Sequence, residues 1–332
     1  MSKFDKLFYL RKDINNRIVP VLSALDVEGK WHVWLDQGND FLEIKPIKPI
    51  ESLYFAQKAD SEKDVFFEFL NYLYQRGTQE DTYPILKDIK NDMYNLSACL
   101  QKLELFHLLK KEQEMDVHRF VITEIEYIFG VCRSLFDLFQ LVAKKYWDGI
   151  VLFDPNHRKR ELKDSFGDMV LKGGVAKSSK ELQDKFGLPS QWADFYVREA
   201  EFFKKIRKYR DDIHHRGLTT DMIFHAPKGF AIQAPYEPFA CFNVWKSETF
   251  LPNNLAPIKP IIAFVIKETF SAMNRYVQML SKIIKFPEEI APGYFLFMRG
   301  YHIHKLAELE DYIENNPWYP EYPEKNLSNK GS

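Results

Sequence analysis

Four stretches of the chain carry apolar residues spaced alternately three and four apart, and this periodicity constrains the fold more than any other feature. The first runs Leu86, Ile89, Met93, Leu96, Leu100, Leu103, and the second Ile125, Ile128, Cys132, Leu135, Phe139, Val142, Tyr146. The third runs Phe195, then after a polar Glu199, Phe202, Ile206, Tyr209, Ile213. The fourth runs Ala263, Ile266, Phe270, Met273, Val277, Leu280, Ile284, with Pro260 near its start and Pro287 beyond its end. Such spacing gathers the residues on one face of an α-helix, and that face must be buried against others like it. The sequence therefore predicts a mainly α protein whose centre, over residues 77–287, is an up-and-down four-helix bundle.

The flanking segments read differently. Residues 14–50 alternate in short runs such as Trp31-His32-Val33-Trp34-Leu35, broken by turn chemistry at Glu28-Gly29 and Gly38-Asn39-Asp40, which predicts a small β-meander. A helical piece over Lys63–Gln75 follows, so residues 1–76 form a β-rich extension with one helix. Ile223, Phe224, Phe230, Ile232, Phe242 and Val244 sit among Pro and Gly and predict a β-hairpin inserted near 222–248, between the third and fourth helices. Residues 288–332 are expected to hold a further helix and then an extended tail, rich in Pro and Tyr from Pro317 to Pro323.

Composition removes several function classes. The three cysteines (Cys99, Cys132, Cys241) are far apart and form no CxxC pair, which argues against a disulfide framework or a zinc knuckle. Acidic and basic side chains number 47 and 46, so no global field recruits nucleic acid and any such binding must come from a local patch. Met1 to Asp5 lacks a hydrophobic signal core, and no apolar run approaches the roughly 20 residues that span a bilayer, so a cytoplasmic protein without membrane contact is expected. No cofactor and no metal are expected.

The third stripe closes in Arg207-Lys208-Tyr209-Arg210-Asp211-Asp212-Ile213-His214-His215-Arg216-Gly217. A helical bundle whose third main helix ends in an arginine, a polar residue and a histidine five positions after the arginine resembles the HEPN family, over roughly residues 80–285. The resemblance implies a metal-independent ribonuclease of toxin–antitoxin or phage-defence type, working as a homodimer on single-stranded RNA, with an antitoxin protein as a possible partner. It assigns the motif arginine to Arg210, the polar position to Asp211 and the motif histidine to His215; His214, four residues after Arg210, is the natural supporting partner if the helix stays regular. The chemistry suits these residue types, because imidazole moves protons near neutrality and guanidinium offers a bidentate fork to a phosphate. Some relatives carry a tyrosine two residues after the histidine; here that position is Gly217.

Spacing alone is weakly specific: 13 arginines and 9 histidines in 332 residues give about 0.4 matches by chance, and two occur. The second, Arg299 to His304, has Gly300 at the polar position and no preceding amphipathic helix. A basic last turn from Arg207 to Arg216 also suits the helix dipole without any catalytic role, and a catalytically silent module binding RNA, a nucleotide or a protein remains the rival reading. Arg133 and Asp137 stand four apart on the second helix, as a surface pair or flanking the site. Arg207, Arg216 and the run Arg158, Lys159, Arg160 are candidate RNA contacts or solvated charges. Glu199 and His107 read as hydrogen-bonded buried groups, and His302 and His304, sharing a strand face, lack an obvious third ligand for a metal.

Overall fold

The computed structural model describes residues 22–25, 31–36, 41–44, 51–77, 80–113, 115–151, 158–216, 223–235 and 239–319. Two units divide between Ile50 and Glu51. In the first, β1 (Leu22–Leu25), β2 (Trp31–Asp36) and β3 (Phe41–Ile44) form an antiparallel meander in sequence order. Glu43 faces Trp34 across the β2–β3 ladder and accepts a 2.5 Å hydrogen bond from His32, whose ring stacks on Trp34.

The second unit is mainly helical with small antiparallel sheets. Its strands β4 (Ser52–Ala56) and β5 (Val65–Phe66) precede α1 (Glu68–Gln75), α2 (Tyr83–Gln113), α3 (His118–Gly149) and the short α4 (Phe166–Val170). Next come the two-residue strands β6 (Leu171–Lys172) and β7 (Val175–Ala176), then α5 (Ser179–Phe186) and α6 (Ser190–Arg216). The hairpin of β8 (Ile223–Ala226) and β9 (Gly229–Gln233) is joined by β10 (Leu255–Pro257). The last elements are α7 (Lys259–Ile283), β11 (Phe295–Arg299) and α8 (Leu309–Asn315).

The sequence-predicted extension 1–76 is divided differently in the structure. Residues 51–66 belong with the helices, because β4 and β5 flank β11 in an antiparallel sheet of order β4-β11-β5. Local patterning cannot reveal this, since the partner strand lies more than 200 residues away. Within the predicted hairpin region 222–248, Ile223–Ala226 and Gly229–Gln233 pair as strands; the third strand, Leu255–Pro257, falls beyond it, and Phe242 is buried in a connecting segment. Arg299 is tied across the same sheet, its guanidinium reaching both oxygens of Asp64 at 3.0 and 2.7 Å. The second Arg-x4-His match thus begins with an arginine already occupied in an ion pair, and His302 and His304 fall in a turn and 3₁₀ segment rather than on a strand.

Most residues of the apolar stripes are buried as their spacing requires, while Phe202 and Ile284 are only half-buried. Leu86, Ile89, Met93, Leu96 and Leu103 of α2, the whole stripe of α3 and Met273, Val277 and Leu280 of α7 are all inaccessible to solvent or nearly so. Helix α3 packs against α2, α6 and α7, and α6 packs against α7. Local signals set the ends of the shorter helices: Ser178 and Glu181 close a capping box on α5, and Gly187 ends it at a φ of 71°. Two polar groups on α6 face are satisfied inside the core. Tyr196 donates to Gln140 at 2.7 Å, and Glu199, 1% exposed, takes a bidentate grip from Arg275 at 2.8 and 2.7 Å.

Candidate functional site

Helix α6 is held in place by aromatic residues. Its ring pairs with α3 run in opposite chain directions: Trp192 with Trp147, Phe195 with Phe139, Phe203 with Phe136 and Tyr209 with Phe129. The two helices are therefore antiparallel, and the C-terminal end of α6 lies at the N-terminal end of α3. Tyr209 anchors that end, fully buried and stacked on Phe129 with centroids 3.5 Å apart. Burial pushes its phenol far above the usual tyrosine value, so it stays neutral.

Arg210, Asp211, His214, His215 and Arg216 occupy the last two turns of α6, which stays α-helical through Arg216. The side chains of Arg210, His214, His215 and Arg216 lie outside the described residues. In a regular helix His215 stands about 140° around the axis from Arg210, and His214 about 40°. Asp211 is half-buried and its carboxylate lies 3.6 Å from Arg207 Nε, one turn earlier.

The remaining candidates separate into those near this end and those far from it. Arg133 and Asp137 approach to 3.5 Å, and Asp137 also accepts the backbone N–H of Phe166 at 2.9 Å, so its carboxylate pins the start of α4. The basic run lies at the opposite end of α3. Lys159 donates to the carbonyls of Trp147, Asp148 and Ile150 at 2.6, 3.1 and 2.8 Å, capping the last turn of that helix. The backbone of Arg160 binds Phe186 O and accepts Trp147 Nε1–H. Trp147, which Lys159 and Arg160 contact, lies 18 residues along α3 from Phe129, the partner of Tyr209, so at about 1.5 Å per residue these groups sit roughly 30 Å from the Arg210–His215 end of α6. Arg158, Lys159 and Arg160 are thus not brought to the Arg210–His215 segment, and Lys159 is a helix cap.

A group that sequence reasoning did not assemble lies at the same end as the motif. The end of α2, the start of α3 and the β8–β9 hairpin enclose a cavity of about 210 Å³, lined by Lys110, Asp116, His118, Ile223, His225 and Phe230 among others. His107 backs it: 2% exposed, it places Nδ1 3.2 Å from His225 Nε2 and stacks on Tyr319. His118 Nε2 lies 3.3 Å from the carbonyl of Ile223, and Asp116 accepts the N–H of His118. Burial, aided by the nearby Lys110 charge, holds the His225 imidazole below its usual pKa, so it is predominantly neutral at pH 7. The only sequence signal was a histidine on an otherwise apolar helix face at His107; its partner is 118 residues away in a strand.

Among the described residues no three histidine, cysteine, aspartate or glutamate side chains are grouped so as to hold a metal ion, and no helix is long and apolar enough to cross a membrane. No protein-family model matches the chain, and neither a curated protein nor a solved structure does.

Proposed function

We propose that the chain is a metal-independent endoribonuclease of toxin–antitoxin or phage-defence type, built on a HEPN-like bundle of α2, α3, α6 and α7. The supporting observation is positional: Arg210 and His215 fall on the final two turns of a helix whose preceding turns are locked by buried aromatic residues, which would hold a reacting pair in fixed register. In this reading Arg210 grips the scissile phosphate through its planar fork, and His215 exchanges a proton as the ribose 2′-hydroxyl attacks phosphorus. Asp211 and His214 orient the pair. The products are a 2′,3′-cyclic phosphate and a 5′-hydroxyl. The protein would act in the cytoplasm, as a homodimer, on single-stranded RNA, restrained by a partner antitoxin.

The rival reading is a silent binding module, and one feature favours it: helical geometry that persists through Arg216 leaves Arg210 and His215 on different sides of the axis. Cleavage of single-stranded RNA in EDTA decides between them. The ribonuclease reading expects cyclic-phosphate products, intact DNA, and a loss of about 10² to 10⁴ in rate for His215→Ala. Binding without cleavage, weakened by salt, would establish the module instead.

A further inference from the structure

A cavity with an apolar inner wall and cationic groups at its mouth calls for a ligand divided in the same way. We propose that the space between the end of α2, the start of α3 and the β8–β9 hairpin binds a small organic anion. That ligand is a carboxylate or phosphate monoester carrying one ring or branched aliphatic group. Every residue invoked lines the cavity or touches one that does, and the site is independent of whether the chain cuts RNA.

The inner wall decides the body of the ligand. Val117, Val121, Ile223 and Phe230 line the cavity, and all four are buried. An enclosed water needs about two to four polar partners, and these side chains offer none. Replacing poorly held water there with an apolar group is therefore favourable. The cavity's volume of about 210 Å³ equals roughly seven waters at about 30 Å³ each. It falls below the roughly 300 Å³ at which drug-sized ligands begin to be enclosed. A single ring or branched aliphatic group fills such a space, which leaves the polar head beside the half-buried Lys110 and the exposed His118 and His225.

The charged and titratable groups of the wall decide the head. These are Lys110, Asp116, His118 and His225. Asp116 is exposed, and its Oδ1 already accepts the backbone N–H of His118 at 3.1 Å. Lys110 makes no hydrogen bond or ion pair among the described residues, yet after burial its ammonium is the charge that lowers the His225 pKa, so it stands near that ring. A cation with no carboxylate partner at the mouth of an apolar cavity is complementary to an anion. His225 Nε2 lies 3.2 Å from His107 Nδ1, so Nδ1 of His225 is the nitrogen left for a ligand. An anion selects the tautomer in which His107 Nδ1–H donates to His225 Nε2 and His225 Nδ1–H donates to the ligand. His118 Nε2 lies 3.3 Å from the Ile223 carbonyl, which can only accept, and that contact ties the start of α3 to the hairpin. His107 is held in turn by stacking on Tyr319 and packing against Phe230. The head's donors are thus in place before any ligand arrives, which lowers the cost of binding.

The test is calorimetric titration of the full chain with phenyl phosphate and with benzoate, which separate the two kinds of head. Benzyl alcohol and inorganic phosphate serve as the body and the head alone. At least one of the two anions should bind at millimolar concentration or below, and each half-ligand about tenfold more weakly than that anion. Lys110→Met should weaken the anion about ten- to a hundredfold, the worth of a hydrogen bond to a charged group, and leave benzyl alcohol unaffected. His225→Leu, which keeps the bulk but removes the donor, should weaken the anion about tenfold. Both variants should keep the wild-type melting temperature, because Lys110 is half-buried and His225 exposed. The proposal is overturned if neither anion binds at millimolar concentration. It is equally overturned if Lys110→Met binds the anion as tightly as the wild-type chain does, or if benzyl alcohol binds as well as the anions.

Discussion

Replacing Arg275 by methionine should destabilise the protein through one identifiable group, the carboxylate of Glu199. That residue interrupts the apolar stripe of α6 at 1% exposure, and its oxygens take 2.8 and 2.7 Å hydrogen bonds from Arg275 on α7. Methionine keeps most of the apolar stem but removes both donors, leaving a charge stranded between helices. Breaking a buried ion pair this way costs about 3 to 5 kcal/mol. Two features place Arg275→Met at the lower end, about 3 kcal/mol. Arg275 retains 21% side-chain exposure, which admits water, and Arg198 Nε lies 3.6 Å from the same carboxylate. The double variant Glu199→Leu, Arg275→Met removes the stranded charge and should recover most of the loss, because well-packed apolar replacements of buried pairs are often neutral. Denaturant titrations of the four members of this cycle measure the coupling. An Arg275→Met cost below about 1 kcal/mol, or a double variant as weak as that single one, would refute the argument that Glu199 is buried only because it is paired.

Two further outcomes follow from the same kind of reasoning. Lys159→Ala frees three carbonyls at the end of α3 and should cost about 1 to 3 kcal/mol in a melting experiment; on the proposed ribonuclease reading it should leave the cleavage rate unchanged, since Lys159 caps a helix far from the motif. Lys177, buried and donating to the carbonyls of Asp168 and Met169, has its pKa pushed down to about 8 by loss of solvation. Between pH 8 and about 10 the unfolded chain then binds more protons at this residue than the folded one. Stability from this group should therefore rise with pH across that window, and a Lys177→Met variant should lose that part of the slope in melting temperature against pH.

The helices were legible in the sequence because each carries its own periodicity. A stripe such as Ile125 to Tyr146 specifies its buried face without reference to any partner, and all of those residues are buried in α3. The capping chemistry of Ser178 and Glu181 is equally local. What stayed hidden depends on residues distant in the chain. Strands β4 and β5 carry little local pattern, and only pairing with β11 makes them part of the helical unit rather than of the N-terminal extension. Lys159 illustrates the same limit for function: in sequence it is one cation in a basic run, and only the position of the α3 terminus turns it into a cap. His107 is the converse case. A lone histidine on an apolar face is correctly read as a hydrogen-bonded core residue, and it is one; its interest comes from the partner, an exposed histidine on a hairpin strand beside a cavity. Motif spacing named Arg210 and His215 but could say nothing of the elements around them. The antiparallel packing of α2, α3 and α6 supplies that, because it gathers the end of one helix, the start of the next and the close of the third at a single end.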